Sequence, residues 1–246
     1  MEYRFNKEKH LHELLVNDEW KSLTGCTTVL SILAKPALIQ WSANMAVDYI
    51  SNLVFNTPNW HWKDTDWKKV FEEAKTAHRR KKEEAGAKGV DIHSEAEKLV
   101  KGSIGAWGGI IDLNTKSELP QIQHFIDWAV KNKIKFLESE KHLYSKELWL
   151  GGITDIICEI DNEVYLADIK TGSGIYAEHF AQLAGYELML KEMGFDRPIK
   201  GHIVLNLKKD GSFQEKRSVS TEDAKNFFLA CVSCYRLQEK FNNQII

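Results

Sequence analysis

The chain has 246 residues, of which 43% are hydrophobic and 28% are charged, and it contains only four prolines. This composition is typical of a globular protein with a sizeable core, built as one large domain or two small ones. The net charge of −2 excludes a chain that binds polyanions over its whole surface. No apolar run approaches the roughly 20 residues of a membrane span. Because the first residues also lack the apolar segment of a secretory signal, we expect a cytosolic protein without membrane contact.

The first third of the chain is predicted to begin with a short strand and to continue as helix. A turn is expected at residues 24–25, followed by the opening of a helix. Pro36 is typical of a first helical turn. In the segment after it, Trp41, Met45 and Tyr49 recur at four-residue steps, which predicts a helix with an aromatic stripe facing the core.

Two further helices are predicted on either side of a glycine pair. One runs from a cap at residue 64 or 65 to about residue 85 and is ended by Gly86 and Gly89. The next covers about residues 91–101 and stops at Gly102. The glycine-rich segment 102–120 then reads as a mobile loop, and an amphipathic helix follows at 119–133.

After residue 133 the hydrophobic period changes from 3.6 to 2, which indicates strands. A three-stranded meander is predicted at 134–144, 150–160 and 163–169, followed by a helix at 176–193. Two further strands are predicted at 200–207 and 213–219, joined by a polar turn, and a last helix from 221 onward. Asp161-Asn162 is expected to form a tight hairpin turn. We therefore predict one α/β domain over residues 1–246, in which a mostly helical part (1–133) surrounds a mixed sheet with flanking helices (134–246).

A run of cations lies in the longest predicted helix, at Arg79, Arg80, Lys81 and Lys82. Two glutamates follow it at once, which favours a solvated helix face. The alternative is a local nucleic-acid-binding surface. Because the net charge of the chain is close to zero, binding to nucleic acid would have to come from a local basic surface of this kind. Both interpretations stay open.

The four cysteines are Cys26, Cys158, Cys231 and Cys234. In a cytosolic chain they argue against disulfides. The last two have metal-ligand spacing, but a four-thiolate site would need Cys158, which lies inside a buried-looking strand. We therefore expect the pair to be small apolar residues on a packed helix.

Acidic residues are predicted at the ends of two neighbouring strands. Because side chains alternate between faces, Asp168 and Lys170 share a face with the apolar residues before them. On the preceding strand, Asp155 lies between isoleucines, where a carboxylate is costly unless it is paired or bound to a metal. Two such acids repel each other, and a divalent cation relieves the repulsion.

Hard oxygen ligands suit Mg²⁺ or Mn²⁺, which would activate a water and neutralise charge on a phosphodiester. Lys170 would orient the attacking hydroxide or stabilise the transition state. The plain alternative is a surface ion pair between Asp168 and Lys170. Gly-Gly-x-x-Asp, which ends at Asp155 thirteen residues before Asp168, favours the functional interpretation.

Two pairs at helical spacing are candidates to join this site. Gln182 and Tyr186 lie four residues apart, so their polar ends can reach the lysine, the water or a phosphate, or can be a polar pair at a helix edge. His93 and Glu97 are also four apart. The imidazole is either a further metal ligand oriented by the carboxylate or a structural or exposed residue, and the residues alone favour the second.

With these motifs the chain resembles the PD-(D/E)XK nuclease superfamily, in the RecB-like branch that includes phage-type exonucleases. The resemblance covers most of the chain. Segments 27–30 and 35–41 are similar to the N-terminal segment of the phage members, and segment 89–93 is similar to the histidine motif. The upstream-glutamate, G-x-x-D, D-x-K-T and Q-x-x-x-Y motifs are matched, in that order, by segments 139–143, 152–155, 168–172 and 182–186. The resemblance implies a restriction-endonuclease-like core, a mixed sheet flanked by helices.

The resemblance also implies residue roles. Asp155, Asp168 and the carbonyl of Ile169 would hold the metal, with His93 assisting. Glu140 would touch the metal or its waters, and Lys170 would be catalytic. Gln182 and Tyr186 would complete the catalytic set.

Cofactor and partners follow from the same resemblance. Some members hold an iron–sulfur cluster with one N-terminal and three C-terminal cysteines; this chain has no cysteine after Cys234, so we expect Mg²⁺ or Mn²⁺ and no cluster. DNA is the expected substrate, and a recombination, helicase or single-strand-annealing protein the expected partner, since no Walker A motif is present. The resemblance also fits a homo-oligomer. If the chain is phage-encoded, its expected location is the cytoplasm of the host.

The sequence thus predicts a Mg²⁺- or Mn²⁺-dependent DNA exonuclease acting in recombination, repair or phage DNA metabolism. Two alternatives stay open: a non-catalytic nucleic-acid-binding module that has kept the fold, and a nuclease for RNA. Cleavage polarity, strand preference and exo- versus endonuclease action are left undecided by the sequence.

Overall fold

A computed structural model describes residues 2–58, 61–218 and 221–244, with only the backbone of residues 85 and 87–90. The chain divides into two compact units. The larger unit comprises Met1–Leu33 and Asp91–Ile246, and the helical unit comprises Ala34–Val90. One domain over residues 1–246 stays a prediction.

A small antiparallel sheet opens the larger unit. Its strands are β1 (Tyr3–Asn6), β2 (Leu11–Val16) and β3 (Glu19–Ser22), in that order. Segment 1–133 is otherwise mostly helical, as predicted, but only the first of these strands was expected. Asn17 and Asp18 both have positive φ, 51° and 62°, and join β2 to β3 as a two-residue turn.

The main sheet has six strands and is mixed. They are β4 (Thr24–Gly25), β5 (Lys135–Ser145), β6 (Leu150–Ile160), β7 (Glu163–Lys170), β8 (Ile199–Leu207) and β9 (Phe213–Ser218). The order is β4-β6-β7-β8-β9, and β5 also pairs with β6. β4 runs parallel to β6 and β7 parallel to β8, while the other pairs are antiparallel. The meander, the hairpin turn and the α/β class are confirmed. The predicted end of the last strand at Val219 lies outside the described residues.

The helices complete the architecture. They are α1 (Cys26–Val29), α2 (Pro36–Asn56), α3 (Trp67–Trp107), α4 (Pro120–Lys131), α5 (Ala177–Glu192) and α6 (Thr221–Asn242), with short 3-10 turns at Leu30–Ile32 and Trp62–Asp64. Within the described residues, no helix combines the length and apolar character of a membrane span.

The prediction of two helices at 65–85 and 91–101 was wrong, because α3 is a single helix of 41 residues. Gly86, Gly89 and Gly102 lie inside it. A glycine costs a helix only about 1 kcal/mol relative to alanine and keeps its N–H, so it does not have to end the helix. α3 ends where Gly108 and Gly109 take positive φ, 62° and 91°, and the Gly109 N–H donates to the carbonyl of Ser103 at 2.9 Å.

Two hydrophobic clusters cover the two faces of the main sheet. Ala167 and Ile156 belong to the cluster formed with α4 and the C-terminal part of α3. Leu166 and Ile157 belong to the cluster formed with α1, α5 and α6. The alternation along β6 and β7 therefore separates the layers as the period of 2 predicts.

In the helical unit, α2 has no buried residue. Tyr49 donates a hydrogen bond to Glu73, and the rings of Trp41 and His78 meet edge to face at 6.4 Å. The aromatic stripe is thus half-buried against α3 rather than part of a core, and the prediction of a core stripe was wrong. Only Val70 and Ala74 are fully buried hydrophobic residues among the described side chains of this unit.

Candidate functional site

Asp155 and Asp168 lie at the point where strands β6 and β7 separate. The last residue pair between these antiparallel strands is Ile156 with Ala167. Asp155 comes just before Ile156 and Asp168 just after Ala167, so both aspartates lie one residue beyond that pair at the same end. β7 continues beyond this point beside β8, with Lys170 opposite Asn206. Adjacent strand ends therefore bring the two acids together, as the sequence predicts.

His93, Glu140 and Asp155 form a group around one point. The Nε2 atom of His93 lies 2.9 Å from Oδ2 of Asp155, and its Nδ1 atom lies 4.0 Å from Oε1 of Glu140. One ligand atom from each residue lies within 4.8 Å of the others. α3 supplies the histidine, while Glu140 falls on β5 between the pairs Ser139–Ile156 and Lys141–Thr154, opposite Asp155.

A second set of contacts runs from the sheet into α5. Nζ of Lys170 donates to Oδ1 of Asp168 at 3.0 Å and lies 2.7 Å from its Oδ2. The same ammonium donates to Oε1 of Gln182 at 3.2 Å. Nε2 of Gln182 then donates to the Tyr186 hydroxyl at 2.6 Å. The structure therefore joins the D-x-K and Q-x-x-x-Y segments in one hydrogen-bonded chain.

The two sets meet at Asp155. The backbone N–H of Ile169 donates to Oδ2 of Asp155 at 2.8 Å, and the same oxygen contacts His93. Ile169 thus orients an acid through its N–H. Its carbonyl as a metal ligand stays a prediction.

The electrostatics of the site follow from burial and crowded charge. Burial raises the pKa of Asp168 to about 6, with Lys170 opposing and Asp155 reinforcing the shift. Burial, with repulsion from Asp155, also raises the pKa of Glu140 to about 7. The hydrogen bond to Asp155 raises the pKa of His93 to about 9 against the effect of burial. Burial alone would lower the pKa of Lys170, but the two aspartates outweigh it and raise the pKa.

Close packing behind the site holds α5 against the sheet. A Cβ at Gly152 would lie 2.5 Å from Cε1 of Tyr186, and a Cβ at Gly185 would lie 2.6 Å from the Phe228 ring. Both distances are below van der Waals contact, so glycine allows this approach. Tyr186 is only 4% exposed, and its place depends on the absence of a side chain at position 152.

Three residues near the site were missed by the sequence reading. Glu178 acts on the charge of Lys170, and it lies one turn before Gln182 on α5, which is a signal that helical spacing offers. Lys101 acts on the charge of Glu140, and its ammonium is paired with Glu97. The expected orienting role of Glu97 toward His93 is thus replaced by this ion pair.

Asn206 is the third missed residue. Its side chain donates to the carbonyl of Gly172 at 3.2 Å, next to the loop that follows Lys170. It lies on a strand distant in sequence, and no motif signals it.

The other candidate residues are placed as follows. Arg79, Arg80, Lys81 and Lys82 are exposed on α3 in the helical unit. Arg80 is occupied, since it donates to the Thr76 hydroxyl and its guanidinium lies 5.3 Å from the centre of the Tyr49 ring. Lys81 lies 3.6 Å from Glu84. Nucleic-acid binding by this run stays a prediction.

The cysteines do not share one cluster. Cys26 and Cys231 are buried in the cluster on the α5 side, and Cys158 is buried in the other. Cys234 is exposed, so only one member of the predicted apolar pair is packed. The expectation of no iron–sulfur cluster stays a prediction.

The donor set suits a hard divalent cation. Two carboxylates and an imidazole converge on one point, and Asp168 is 1% exposed beside them. Oδ2 of Asp168 makes no hydrogen bond with good geometry although Lys170 is near, which leaves a lone pair for a ligand. Carboxylate oxygens and one imidazole are ligands that Mg²⁺ or Mn²⁺ accepts.

Comparison with models of protein families finds no match, and comparison with curated proteins finds none either. Among solved structures, the chain is similar to the crystal structure of SSO0001, with a TM-score of 0.32 and 15% identity over 61% of this chain and 69% of that chain. A likeness this weak supports no functional inference, so function has to be argued from the site itself.

Proposed function

We propose that the chain is a Mg²⁺- or Mn²⁺-dependent nuclease that hydrolyses phosphodiester bonds of DNA, most simply as an exonuclease. One observation supports this above the others. The carboxylate–histidine group and the hydrogen-bonded chain from Asp168 to Tyr186 lie side by side, at the same end of strands β6 and β7. These are the residues whose motifs resemble the RecB-like nucleases.

The roles of the residues follow from their contacts. When bound, the divalent cation would lower the pKa of a water and neutralise charge on the phosphate. Asp155, Asp168, His93 and Glu140 would hold the cation or its waters. Asp155 is kept in place by the Ile169 N–H.

Lys170 is the donor to the reacting groups in this proposal. Its side chain is a quarter exposed, while that of its partner Asp168 is almost fully buried. Asp168 and Gln182 orient the ammonium by accepting hydrogen bonds from it. From this position Lys170 would donate to a phosphate oxygen or an attacking hydroxide.

The alternatives differ in what they leave unexplained. A non-catalytic nucleic-acid-binding module has no need for a buried Asp168 beside a lysine, an arrangement that costs folding free energy. A nuclease for RNA fits the same chemistry, since none of the site contacts described above would read the sugar. A recombination, helicase or single-strand-annealing partner in the cytoplasm is part of the DNA proposal.

Loss of Lys170 tests the mechanism. We expect Lys170→Met, which retains most of the side-chain volume, to lower DNA cleavage by about 10²-fold or more, because one aligned donor in a catalytic site is worth about this factor. Lys200→Met is the matched control, since Lys200 lies on β8 and pairs with Glu163 on the surface at 2.9 Å. Cleavage is followed on end-labelled DNA with Mg²⁺ or Mn²⁺.

Circular dichroism checks that both variants are folded, and EDTA should stop the wild-type reaction. Full activity of a folded Lys170→Met protein would refute the assigned mechanism. Linear and circular substrates, single- and double-stranded, of DNA and of RNA, separate exonuclease from endonuclease action and DNA from RNA. Salt-dependent binding without cleavage under either cation would favour the non-catalytic alternative.

A further inference from the structure

One face of helix α3 carries a row of exposed cations with an aromatic ring among them, which we call the cationic stripe. It consists of Lys68, Phe71, Lys75, Arg79 and Lys82, and all five side chains are exposed. At about 100° per residue these positions fall within an arc of about 80°. At about 1.5 Å per residue the stripe is about 21 Å long.

The helix separates cations that the sequence places in one run. Residues 79–82 are consecutive, so they point to different sides of α3. Arg80 and Lys81 have partners of their own, a threonine hydroxyl and a glutamate. Arg79 and Lys82 have no ion pair among the described side chains. The structure therefore assigns two cations of the run to the stripe and leaves the other two out of it.

No acidic side chain interrupts the stripe. The glutamates of this part of α3 all lie outside its arc. They are Glu72, Glu73, Glu83 and Glu84. Lys75 pairs with Glu72 at 2.8 Å, and both side chains are about two-thirds exposed, so water screens this contact and another anion can displace it. The stripe is thus a continuous row of positive charge.

The charge of the helical unit is opposite in sign to that of the larger unit. Residues 34–90 contain ten Lys and Arg against seven Asp and Glu, a formal charge of +3. Because the whole chain has a net charge of −2, the larger unit carries −5. The helical unit therefore offers the positive charge that attracts a polyanion, and the unit with the candidate metal site does not.

The ring of Phe71 narrows the class of polyanion. It is 49% exposed and lies between Lys68 and Lys75 along the stripe. Both duplex and single-stranded nucleic acids offer phosphates to cations. The bases of a duplex stack on one another, whereas an unpaired base can stack on an aromatic side chain. A ring among cations therefore fits a single strand.

An anionic membrane surface fits this face less well. Helices that lie on membranes carry their apolar residues on one face and their cations on another. In the cationic stripe, Phe71 and the cations share one face. The ring is therefore placed to contact a base that is attached to the same backbone as the bound phosphates.

We propose that the cationic stripe of α3 binds a single strand of DNA. The four cations contact successive phosphates, and one unpaired base stacks on Phe71. The choice of DNA as the polymer rests on the proposed nuclease function. The stripe adds a substrate class, single-stranded DNA, which the contacts at the candidate metal site leave undecided.

Two double variants, shifted by one residue along the helix, test the phosphate contacts. Lys68→Gln/Lys82→Gln removes two charges from the stripe, and Lys69→Gln/Lys81→Gln removes two charges from other sides of α3. Binding of a labelled oligothymidylate is measured by fluorescence anisotropy at several salt concentrations, in EDTA so that no strand is cleaved. The first variant should reduce the slope of log affinity against log salt by about 1.4, or about 0.7 per lost contact. The second should keep the wild-type slope, and circular dichroism checks that both are folded.

A strand without bases tests the stacking contact. Phe71→Ala should weaken binding of the oligothymidylate about 10-fold, because stacking of one base on an aromatic side chain contributes about this factor. It should leave binding of an abasic oligonucleotide of the same length unchanged. Phe55→Ala is the matched control, since Phe55 is an exposed phenylalanine on α2, outside the stripe, and should change neither affinity.

Equal salt slopes of the two double variants would overturn the proposal, and an equal loss of affinity for both strands in Phe71→Ala would remove the stacked base. Tighter binding of a hairpin duplex than of the single strand, or binding to anionic vesicles without binding to DNA, would also overturn it. Because these measurements need no metal, they are separate from the nuclease assay. Binding at the stripe without cleavage would refute only the nuclease, and cleavage with equal binding by both double variants would refute only the stripe.

Discussion

Glu140 combines two unusual properties at a single residue. It has a positive φ of 51°, which costs a residue with a side chain about 1–2 kcal/mol, and it holds a half-buried carboxylate opposite Asp155. Neither property stabilises the fold. A residue that is strained and electrostatically unfavourable is more simply explained by a function that uses its carboxylate, such as ligation of a cation.

Tyr186→Phe isolates the end of the hydrogen-bonded chain at the site. It removes the acceptor for Gln182 and leaves a buried N–H without a partner, so we expect a loss of about 1–3 kcal/mol in the free energy of unfolding. Gln182 then holds Lys170 less firmly, and DNA cleavage should fall by roughly 10-fold or more. Urea denaturation and a cleavage assay measure the two effects.

Tyr165→Phe is the matched control for this prediction. The Tyr165 hydroxyl makes only a long, exposed hydrogen bond to Glu163, at 3.4 Å. We expect neither stability nor cleavage to change appreciably in this variant. Equal effects of the two substitutions would show that Tyr186 has no special place at the site.

Sequence periodicity predicts part of the site but not all of it. The period of a strand puts Asp168 beside Lys170, and the period of a helix puts Gln182 beside Tyr186. The contact between His93 and Asp155 joins residues 62 positions apart, so no local pattern can reveal it. Only the resemblance to a nuclease family pointed to it, and the Ile169 N–H that anchors Asp155 is a backbone feature without sequence signal.

The hairpin between β6 and β7 shows an element that local chemistry specifies well. Asp161 and Asn162 both have positive φ, 51° and 66°, as a two-residue turn between twisted strands requires. Asp and Asn tolerate this conformation better than other residues with side chains. The same chemistry at Asn17-Asp18 joins β2 to β3, where the sequence reading overlooked it.

Substitutions at Asn162 should change stability in opposite directions. Asn162→Gly removes the residual strain of a positive φ, and we expect a gain of up to about 1 kcal/mol in the free energy of unfolding. Asn162→Ala should lose about 1 kcal/mol, because a Cβ without a compensating polar group is disfavoured there. Urea denaturation of both variants checks this; a gain with alanine would be inconsistent with the turn.

α3 shows the limit of the same reasoning. Glycine often ends helices, and its low helix propensity was the reason for predicting a helix end near residues 86–89. Propensity differences of about 1 kcal/mol are small beside tertiary packing. Ile92, Ala96 and Val100 are buried in the core, so the part of α3 from Ile92 to Val100 is stabilised by contacts that no local window contains.

At the scale of the larger unit, a buried polar group joins three elements. Glu187 on α5 accepts from Nε2 of His202 on β8 at 2.9 Å and lies 2.7 Å from Nζ of Lys225 on α6. His202 is fully buried and Glu187 is 9% exposed. Glu187 follows Tyr186 directly, so this group also fixes the helix that carries Gln182 and Tyr186 to the site.

Glu187→Gln should therefore reveal a pH-dependent contribution to stability. Burial alone would raise the pKa of Glu187, but hydrogen bonds from His202 and Lys225 outweigh it and lower the pKa. A lowered pKa stabilises the fold fully above the unfolded value of about 4.3, and this stabilisation is lost as pH falls through the folded pKa. At neutral pH we expect Glu187→Gln to lose about 2–3 kcal/mol in the free energy of unfolding. The difference from wild type should shrink progressively below about pH 4.3.

Urea denaturation across this pH range measures the difference in the free energy of unfolding. Glu163→Gln is the matched control: it breaks only the exposed pair with Lys200 and should lose less than about 1 kcal/mol. A difference between Glu187→Gln and wild type that stayed constant into acid would show that the charge of Glu187 contributes nothing, and that shape and hydrogen bonding alone hold α5, β8 and α6 together.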